Sequence, residues 1–170
     1  MILHKNEIMN VAFLSIGGNM NDRLQSLKQC LKLIKMSCGS IEKKSKIYES
    51  LAWGINSENK YLNQTIKLLS PLKPKELLIS IQSIELKMGR QRTEKQYSDR
   101  IIDIDIIAYN NQIINEIDLK VPHPRLHLRK FVLVPLGEIA PNWEHPISKY
   151  KISKLMDLCK DASEISVYIE

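Results

Sequence analysis

The spacing of hydrophobic and polar positions along the chain predicts an alternation of strands and helices. An apolar run at residues 11–16 predicts a buried strand that ends at a Gly-Gly pair. Hydrophobic residues then recur with helical spacing over residues 24–34, after Asn21 or Asp22, either of which can cap a helix start. We interpret the Gly-Gly pair as a tight turn between this strand and this helix.

Two further strands and a second helix are predicted next. Residues 45–53 and 61–69 have strand propensity, and a polar loop separates them. Pro74 suits the first turn of a helix, the apolar positions of that helix continue to Met88, and Gly89 ends it.

The most apolar segment of the chain, residues 101–109, is predicted to be a central strand. After it, residues 112–119 predict a short hairpin arm, residues 131–136 a strand-like run and residues 152–160 a terminal helix. The order β-α-β-β-α-β with additions is typical of a ferredoxin-like α/β sandwich. We therefore predict an α+β fold, with a mainly antiparallel sheet and helices packed on its faces.

The length of 170 residues predicts a single domain over residues 1–170, with residues 1–9 as an N-terminal extension. No apolar run approaches the roughly 20 residues that a membrane-spanning helix needs, and the N-terminus lacks the apolar core of a signal peptide. The three cysteines are scattered and form no CxxC pair, which argues against a disulfide framework or a zinc site. We expect a cytoplasmic monomer without membrane association.

The net charge of +6 indicates anionic partners. Five of the six arginines lie between residues 90 and 129, and the planar guanidinium group suits phosphate oxygens. Nucleic acid is also anionic, but the chain has only two Phe and two Trp and shows no RNA-binding motif with paired aromatic residues. We therefore expect small phosphorylated molecules as partners, and no nucleic acid.

Asp103 and Asp105 are the most informative pair of residues. In a strand, residues two apart point to the same face, and isoleucines occupy the opposite face here. Two carboxylates in an isoleucine-rich strand are costly unless cations neutralise them. Mg²⁺ prefers oxygen ligands and is often held by one or two carboxylates together with substrate phosphates. The alternative is a sheet face open to solvent, with both carboxylates hydrated.

The arginines just before this strand favour the metal interpretation. Arg90, Arg92 and Arg100 lie within fifteen residues of the aspartate pair. Phosphoryl transfer is catalysed mostly by positioning and by charge neutralisation, and cations with arginines supply both. The chain contains neither a Walker A loop nor a kinase glycine loop.

Several separated segments resemble one enzyme family, in the same order along the chain. They read SIGGNMND, YES with WG, YLNQ, IELKMGRQR, RIIDIDII and VPHPRLHLRKFVLVPLGEIAP, and they span roughly residues 11–147. By these motifs the chain resembles 6-hydroxymethyl-7,8-dihydropterin pyrophosphokinase. The resemblance implies transfer of pyrophosphate from Mg-ATP to the hydroxymethyl group of the pterin, which gives AMP and the pterin diphosphate in folate synthesis.

The resemblance also implies roles at the ATP side of the site. Asp103 and Asp105 would bind two magnesium ions that bridge the ATP phosphates. Arg100 would lie on a mobile loop that closes over the site and stabilises the transferring group. Further contacts to ATP or its phosphates are implied for Arg90, Arg92, His123 and Arg129. Gln82 and Glu85, on the second predicted helix, would flank the site.

For the pterin, the resemblance implies a pocket of aromatic and polar residues. Asn63 would bind the edge of the pterin, and Tyr61 and Phe131 would stack on its two faces. The backbone around Ser50 and Trp53 would complete the pocket. Without the resemblance, the position of Phe131 in an apolar run would indicate a core residue.

The sequence departs from the family pattern in the segment before the loop arginine and after Ser50. Gln96, Ser98 and Asp99 replace residues that the family usually has before Arg100, and Asp99 adds a negative charge beside it. Leu51 and Ala52 replace prolines. None of these changes removes a residue with an assigned role. The alternative function is a non-catalytic ferredoxin-like module that binds nucleotides or RNA.

Overall fold

The structure is a computed structural model that describes residues 9–54, 58–90 and 99–170. Within these ranges, a six-stranded sheet with antiparallel pairing forms the centre of the fold, and its main strand order is β5-β1-β4-β3-β8 with β2 also paired to β4. Its strands are β1 (Asn10–Gly18), β2 (Ser40–Lys44), β3 (Tyr48–Ser50), β4 (Tyr61–Ser70), β5 (Asp103–Tyr109) and β8 (Ile165–Val167). A separate two-stranded arm pairs β6 (Ile114–Asn115) with β7 (Lys120–Val121).

The helices are α1 (Arg23–Ser37), α2 (Pro74–Lys87), α3 (Lys130–Ile139) and α4 (Ile152–Leu158). The side chain of Asp22 caps α1 by accepting a hydrogen bond from Gln25 N at 2.9 Å. Pro74 begins α2, as the sequence predicts, because a proline lacks the N–H group that the first turn of a helix leaves unbonded.

Both faces of the sheet are covered by helices. On one face, Leu14 and Ile16 of β1 pack with buried residues of α1 and α2. On the other face, Phe13 belongs to a second cluster that contains buried residues of α3 and α4. This alternation along β1 follows from the two-residue period of a strand. The predicted fold class, a ferredoxin-like α/β sandwich with helices on the faces of a mainly antiparallel sheet, is confirmed.

Some of the predicted elements are wrong. Residues 131–136 form most of α3 instead of a strand-like run, with Pro135 inside the helix. The predicted strand at residues 45–53 is only three residues long, and the Gly-Gly pair belongs to the end of β1 rather than to a turn. The strands β2 and β8 were not predicted. None of the helices in the described ranges is long and apolar enough to cross a membrane.

Candidate active site

The register of three adjacent strands assembles the polar floor of a cleft. On β1, Gly17 pairs with Asp103 of β5 on one side and with Asn63 of β4 on the other, and Ser15 pairs with Asp105. Cross-strand partners point to the same face of a sheet, as do residues two apart on one strand. The carboxylates and the amide therefore share one face, and Ile104 and Ile106 are buried on the opposite face as predicted.

Gly17 lies between the carboxylate side and the amide side of this floor. A Cβ atom at residue 17 would lie 2.8 Å from Oδ1 of Asn63, a distance that real Cβ atoms essentially never show. A Cβ atom at Gly18 would collide with the carbonyl oxygen of Ile101. The glycines are thus needed because neighbouring groups approach the backbone of β1 closely, and not because the chain turns there.

The cleft above this floor has an empty volume of about 590 Å³, including the part open to solvent. Most of the residues that the sequence assigns to the site line it, together with three that were not predicted, namely Ser15, Gly17 and Leu51. The predicted residues that line it are Ser50, Trp53, Tyr61, Asn63, Arg100, Asp103, Asp105, Arg129 and Phe131.

Asp103 is held by two arginines. Its Oδ1 lies 2.8 Å from Nη1 of Arg90, and its Oδ2 accepts a hydrogen bond from Nη1 of Arg100 at 2.5 Å. Arg90 also forms an ion pair with Glu85, a buried residue of α2. Glu85 in turn accepts a hydrogen bond from the backbone N–H of Ile104 at 2.7 Å. Glu85 thus connects α2 to the strand that carries both aspartates, and it does not line the cleft.

Asp105 has weaker partners than Asp103. Nη1 of Arg129 lies 3.4 Å from its Oδ2, and Nε2 of His123 lies 4.0 Å from the same oxygen. Burial, followed by the negative charge of Asp103, raises the pKa of Asp105 to about 7. A carboxylate with this environment is poorly neutralised by the protein alone, which favours a cation or a cationic ligand at this position.

His123 is neutral at physiological pH. Burial and the positive charge of Arg129 lower its pKa to about 4. Its Nδ1 accepts a hydrogen bond from the backbone N–H of Arg125 at 3.1 Å, so in the neutral ring the proton is on Nε2. The N–H group at Nε2 is therefore on the side of Asp105, where it can donate to an anionic oxygen.

The opposite end of the cleft is neutral and aromatic. Nδ2 of Asn63 donates a hydrogen bond to Oγ of Ser50 at 2.9 Å, and both residues are buried. The guanidinium carbon of Arg129 lies 5.0 Å from the ring centroid of Trp53 and 5.7 Å from that of Phe131. Phe131 is the second residue of α3, and it reaches the cleft because it lies at the start of the helix.

Arg129 connects the two ends of the cleft. Its Nη1 faces Asp105 while its guanidinium plane lies near two rings. Among the described residues, its buried Nε has no hydrogen-bond partner. A buried guanidinium with an unused donor is suited to bind an oxygen of an anionic ligand.

Asp99 and the backbone of Arg100 are bonded to residues that the sequence analysis did not assign. Asn19 accepts a hydrogen bond from Arg100 N at 2.8 Å and donates one to Asp99 at 2.6 Å. The other oxygen of Asp99 accepts a hydrogen bond from Asn59 at 2.7 Å. The departure at Asp99 thus provides an acceptor that links three loops. The position of Asn19 directly after the Gly-Gly pair is the sequence signal that could have identified it.

Other predicted residues lie at the edge of the site or outside the described ranges. Gln82 is partly buried on α2 and does not line the cleft. Arg92, Gln96 and Ser98 lie outside the described residues. Arg90 lies 2.8 Å from Asp103 and His123 lies 4.0 Å from Asp105, but neither of them lines the cleft.

Comparison with known proteins gives a consistent picture. A family profile described as 7,8-dihydro-6-hydroxymethylpterin-pyrophosphokinase (HPPK) matches residues 13–141. A 2-amino-4-hydroxy-6-hydroxymethyldihydropteridine pyrophosphokinase of Aquifex aeolicus is 40% identical over 139 residues, which cover 82% of this chain and 86% of that protein. The enzyme of the same name from Bacillus subtilis is 37% identical and covers 79% of this chain and 81% of that protein.

Solved structures share the fold. In the crystal structure of wild-type Plasmodium falciparum HPPK-DHPS with pteroate, the similar region has a TM-score of 0.76 and 17% sequence identity, and covers 93% of this chain. This chain spans 46% of that longer chain, so the likeness concerns the fold of the HPPK part alone.

The family profile and these relatives show that the chain is an ATP-dependent diphosphotransferase. The chain belongs to the 7,8-dihydro-6-hydroxymethylpterin-pyrophosphokinase family. The predicted family is confirmed, and the alternative of a non-catalytic binding module is not favoured.

Proposed function

We propose that the protein transfers the terminal pyrophosphoryl group of ATP to the hydroxymethyl group of 6-hydroxymethyl-7,8-dihydropterin in folate synthesis. The observation that carries this proposal is the division of one cleft into two ends. Paired carboxylates with arginines suit the phosphates of ATP, and a buried amide with aromatic rings suits a flat ligand with a polar edge. Both ends lie on the same face of the sheet, so the two substrates can meet above Gly17.

The proposed reaction is a displacement at the β-phosphorus of ATP. The hydroxymethyl oxygen attacks the β-phosphorus of ATP and forms a new P–O bond. The bond from this phosphorus to the oxygen that bridges it to the α-phosphorus breaks, and AMP leaves with that oxygen. The hydroxyl proton is lost from the attacking oxygen. Positioning and charge neutralisation supply most of the catalysis in such transfers.

Magnesium fits the donor set of the charged end. Asp103 and Asp105 present carboxylate oxygens on one face, and no group of three or more metal-binding side chains occurs among the described residues. Mg²⁺ commonly takes one or two carboxylates and completes its shell with phosphate oxygens and water. We propose that these two aspartates hold two magnesium ions, which neutralise phosphate charge when bound.

The remaining charged residues bind the phosphates in this proposal. Arg129 uses its free Nε and its Nη atoms, and His123 donates from Nε2. Arg90 and Arg92 would contribute positive charge, and Arg100 would leave Asp103 to bind the transferring group. Gln82 and Glu85 support the ATP side from α2, where Glu85 fixes the backbone of β5.

The neutral end binds the pterin in this proposal. Asn63 and Ser50 bind its polar edge, and their mutual hydrogen bond already fixes the orientation of the amide. Tyr61 and Phe131 stack on the two faces of the ring, and Trp53 closes the pocket. An amide carries a donor and an acceptor, which matches the mixed edge of a pterin.

We further propose that the protein acts as a single-domain monomer in the cytoplasm, on small molecules and without nucleic acid. The length of 170 residues supports a single domain. Sedimentation analysis at micromolar concentration checks the monomer, and a dimer that dissociates together with activity would contradict it.

The direct test is to mix the protein with ATP, magnesium and the hydroxymethyl-dihydropterin and to measure AMP. We expect AMP and the pterin diphosphate in equal amounts. Production of ADP, or no reaction combined with binding of RNA, would instead support a different activity.

A further inference from the structure

The segment after α4 contacts two walls of the cleft from outside. It lies beyond residue 141, where the match to the family profile ends. We propose that Asp161 of this segment is a positioning residue: by capping α3, it fixes Arg129 and Phe131 where they face the substrates. The assignment of those two residues to ATP and pterin rests on the proposed function, but the contact of Asp161 with the helix does not.

The start of α3 lacks a cap from its own sequence. Arg129 occupies the N-cap position without a side-chain cap hydrogen bond, and the first turn contains no acidic residue. Oδ2 of Asp161 accepts a hydrogen bond from the backbone N–H of Lys130 at 2.9 Å. A negative side chain at a helix N-terminus satisfies an unbonded N–H group and interacts favourably with the helix dipole. Asp161, which is distant in sequence, thus caps the helix in place of the side chain of Arg129.

The carboxylate of Asp161 is itself held in place. Its Oδ1 accepts hydrogen bonds from the backbone N–H of Ser163 at 3.0 Å and from Oγ of Ser163 at 2.6 Å. Nζ of Lys130 donates to the carbonyl oxygen of Ser163 at 3.3 Å. The cap is therefore a fixed turn docked on the helix start by a main-chain and a side-chain contact of the same lysine.

The segment continues from α3 to the other wall of the cleft. Its strand β8 pairs with β3, with Ile165 opposite Ser50, and Tyr168 N donates to Ile47 O at 2.8 Å. Ser50 is the partner of Asn63 in the neutral end of the cleft. Residues 161–167 therefore link the helix that carries Arg129 and Phe131 to the strand that carries Ser50.

Displacement of the start of α3 would move the residues on both sides of Lys130. Arg129 precedes it and faces Asp105, and Phe131 follows it and lines the cleft. Trp53 would report such a displacement, because the guanidinium carbon of Arg129 lies 5.0 Å from its ring centroid. Trp53 and Asp161 also line a second pocket of the protein.

The kinetic test uses Asp161→Ala and Asp161→Asn, with Asp157→Asn as the matched control. Asp157 is an exposed aspartate on α4. Loss of a helix cap typically costs enough free energy for about a fivefold change in an equilibrium, and Asn caps nearly as well as Asp. We expect the alanine variant to raise the KM for both substrates about fivefold at a temperature well below its Tm. The asparagine variant should recover only part of this change, because its one side-chain oxygen can accept from Lys130 N while its amide nitrogen cannot accept from Ser163 N, and the control should equal the wild type.

A role in folding alone would give a different result. It would lower the Tm of Asp161→Ala but leave both KM values unchanged in the folded protein, which would overturn the proposal. If Asp161→Ala does not fold, Ser163→Ala removes one of the hydrogen bonds that hold the carboxylate and should raise both KM values in the same direction to a smaller extent.

A fluorescence test needs no substrate. In a Trp143→Phe background, Trp53 is the only tryptophan of the chain. We expect Asp161→Ala to shift the emission of Trp53 and to change its quenching by acrylamide. Ser163→Ala, at a residue outside the pocket that Trp53 shares with Asp161, should have the same effect to a smaller extent, and Asp157→Asn should change neither. If the wild type forms no AMP but this shift occurs, the proposed function fails and the positioning role stands. If AMP forms while the KM values and the emission stay unchanged, the positioning role fails and the function stands.

Discussion

The two ends of the cleft differ in how their polar groups are satisfied before any ligand binds. At the charged end, Asp103 is bonded to Arg90 and Arg100, and Asp105 shares Arg129 with the aromatic rings. At the neutral end, a buried hydrogen bond joins Asn63 to Ser50. The charged groups must exchange partners when ATP and metal bind, whereas the neutral groups are already in place.

Because of this difference, the two ends of the cleft contribute differently to turnover and to affinity. Charges that neutralise each other within the protein can be redirected to a metal and to phosphates, so their full effect arises only in the complex. Holding these charges without a ligand is unfavourable at Asp105, where burial and the charge of Asp103 raise the pKa of the carboxyl group. The neutral end carries no such cost, since its hydrogen bond fixes one amide orientation. We therefore expect changes at the charged end to act mainly on turnover, and changes at the neutral end on affinity.

The largest effect is expected for Asp103→Asn and Asp105→Asn. Each variant removes a carboxylate from the shared strand face, and turnover should fall by a factor of about 10² or more, as for other electrostatic groups that stabilise a transition state. The fold should persist, because neither side chain belongs to the hydrophobic clusters. AMP formation at saturating ATP and magnesium measures the effect. Asp118→Asn, an exposed aspartate, is the control, and near-normal turnover of either site variant would refute the metal assignment.

The next largest effect is expected for two arginines, which should differ in whether they affect the rate alone or ATP affinity as well. Arg100 bonds to Asp103 in the structure, and its release to the transferring group would count most in the transition state. We expect Arg100→Ala to lower the single-turnover rate with little change in ATP affinity. Arg92→Ala should weaken ATP binding as well, an expectation from the sequence alone. Rapid-quench kinetics and titration with a non-hydrolysable ATP analogue distinguish the two, and equal losses of ATP affinity with unchanged rates would contradict this division.

The charged end could be predicted from sequence because its signals are local. Asp103 and Asp105 lie two apart in an apolar run, and a strand places them on one face whatever the rest of the chain does. The register that brings Asn63 across Gly17 was not predictable in this way. It depends on the pairing of β1 with both β4 and β5, which is set by contacts between residues far apart in sequence.

The helix α3 shows why one element was predicted wrongly. Residues 131–136 are nearly all apolar, and a short apolar run does not distinguish a buried helix from a strand. The tertiary structure decides: Val132, Leu133 and Leu136 pack against the sheet face that carries Phe13. The strand β8 was missed for a related reason, since its three residues form a strand only because β3 offers an edge.

A smaller effect is expected at the neutral end. Asn63→Ala removes the amide that binds the pterin edge, and polar groups of the ligand left unpaired should cost about 1–3 kcal/mol of pterin affinity. ATP affinity should stay unchanged, because the hydrogen bond of the Asn63 amide goes to Ser50 at the neutral end. Calorimetric titration with an ATP analogue, followed by pterin, measures both. Asn115→Ala, at an exposed asparagine of the β6–β7 arm, is the control, and wild-type pterin affinity in Asn63→Ala would show that the pocket is misplaced.

The smallest effect concerns the stability of the metal-free protein. The pKa of Asp105 is about 7 in the folded chain, and its ordinary value is 3.8. The folded state therefore holds this proton more tightly than the unfolded state does, so the contribution of Asp105 to stability is full below pH 4 and is lost as the pH rises towards 7.

Asp105→Asn cannot ionise. The variant should therefore gain stability relative to the wild type between pH 4 and pH 7, by about 1 kcal/mol after allowance for partial solvent exposure, or a Tm increase of about 2–4 °C. His123, whose pKa of about 4 makes stability depend on pH in the opposite direction, is present in both proteins, so the comparison between them removes its contribution to first approximation.

Magnesium with an ATP analogue should make the wild type the more stable of the two proteins, because only the wild type can then place an ionised Asp105 on a cation. Thermal melts with and without both ligands measure this, and a variant that gains as much stability from the ligands as the wild type would place the metal elsewhere.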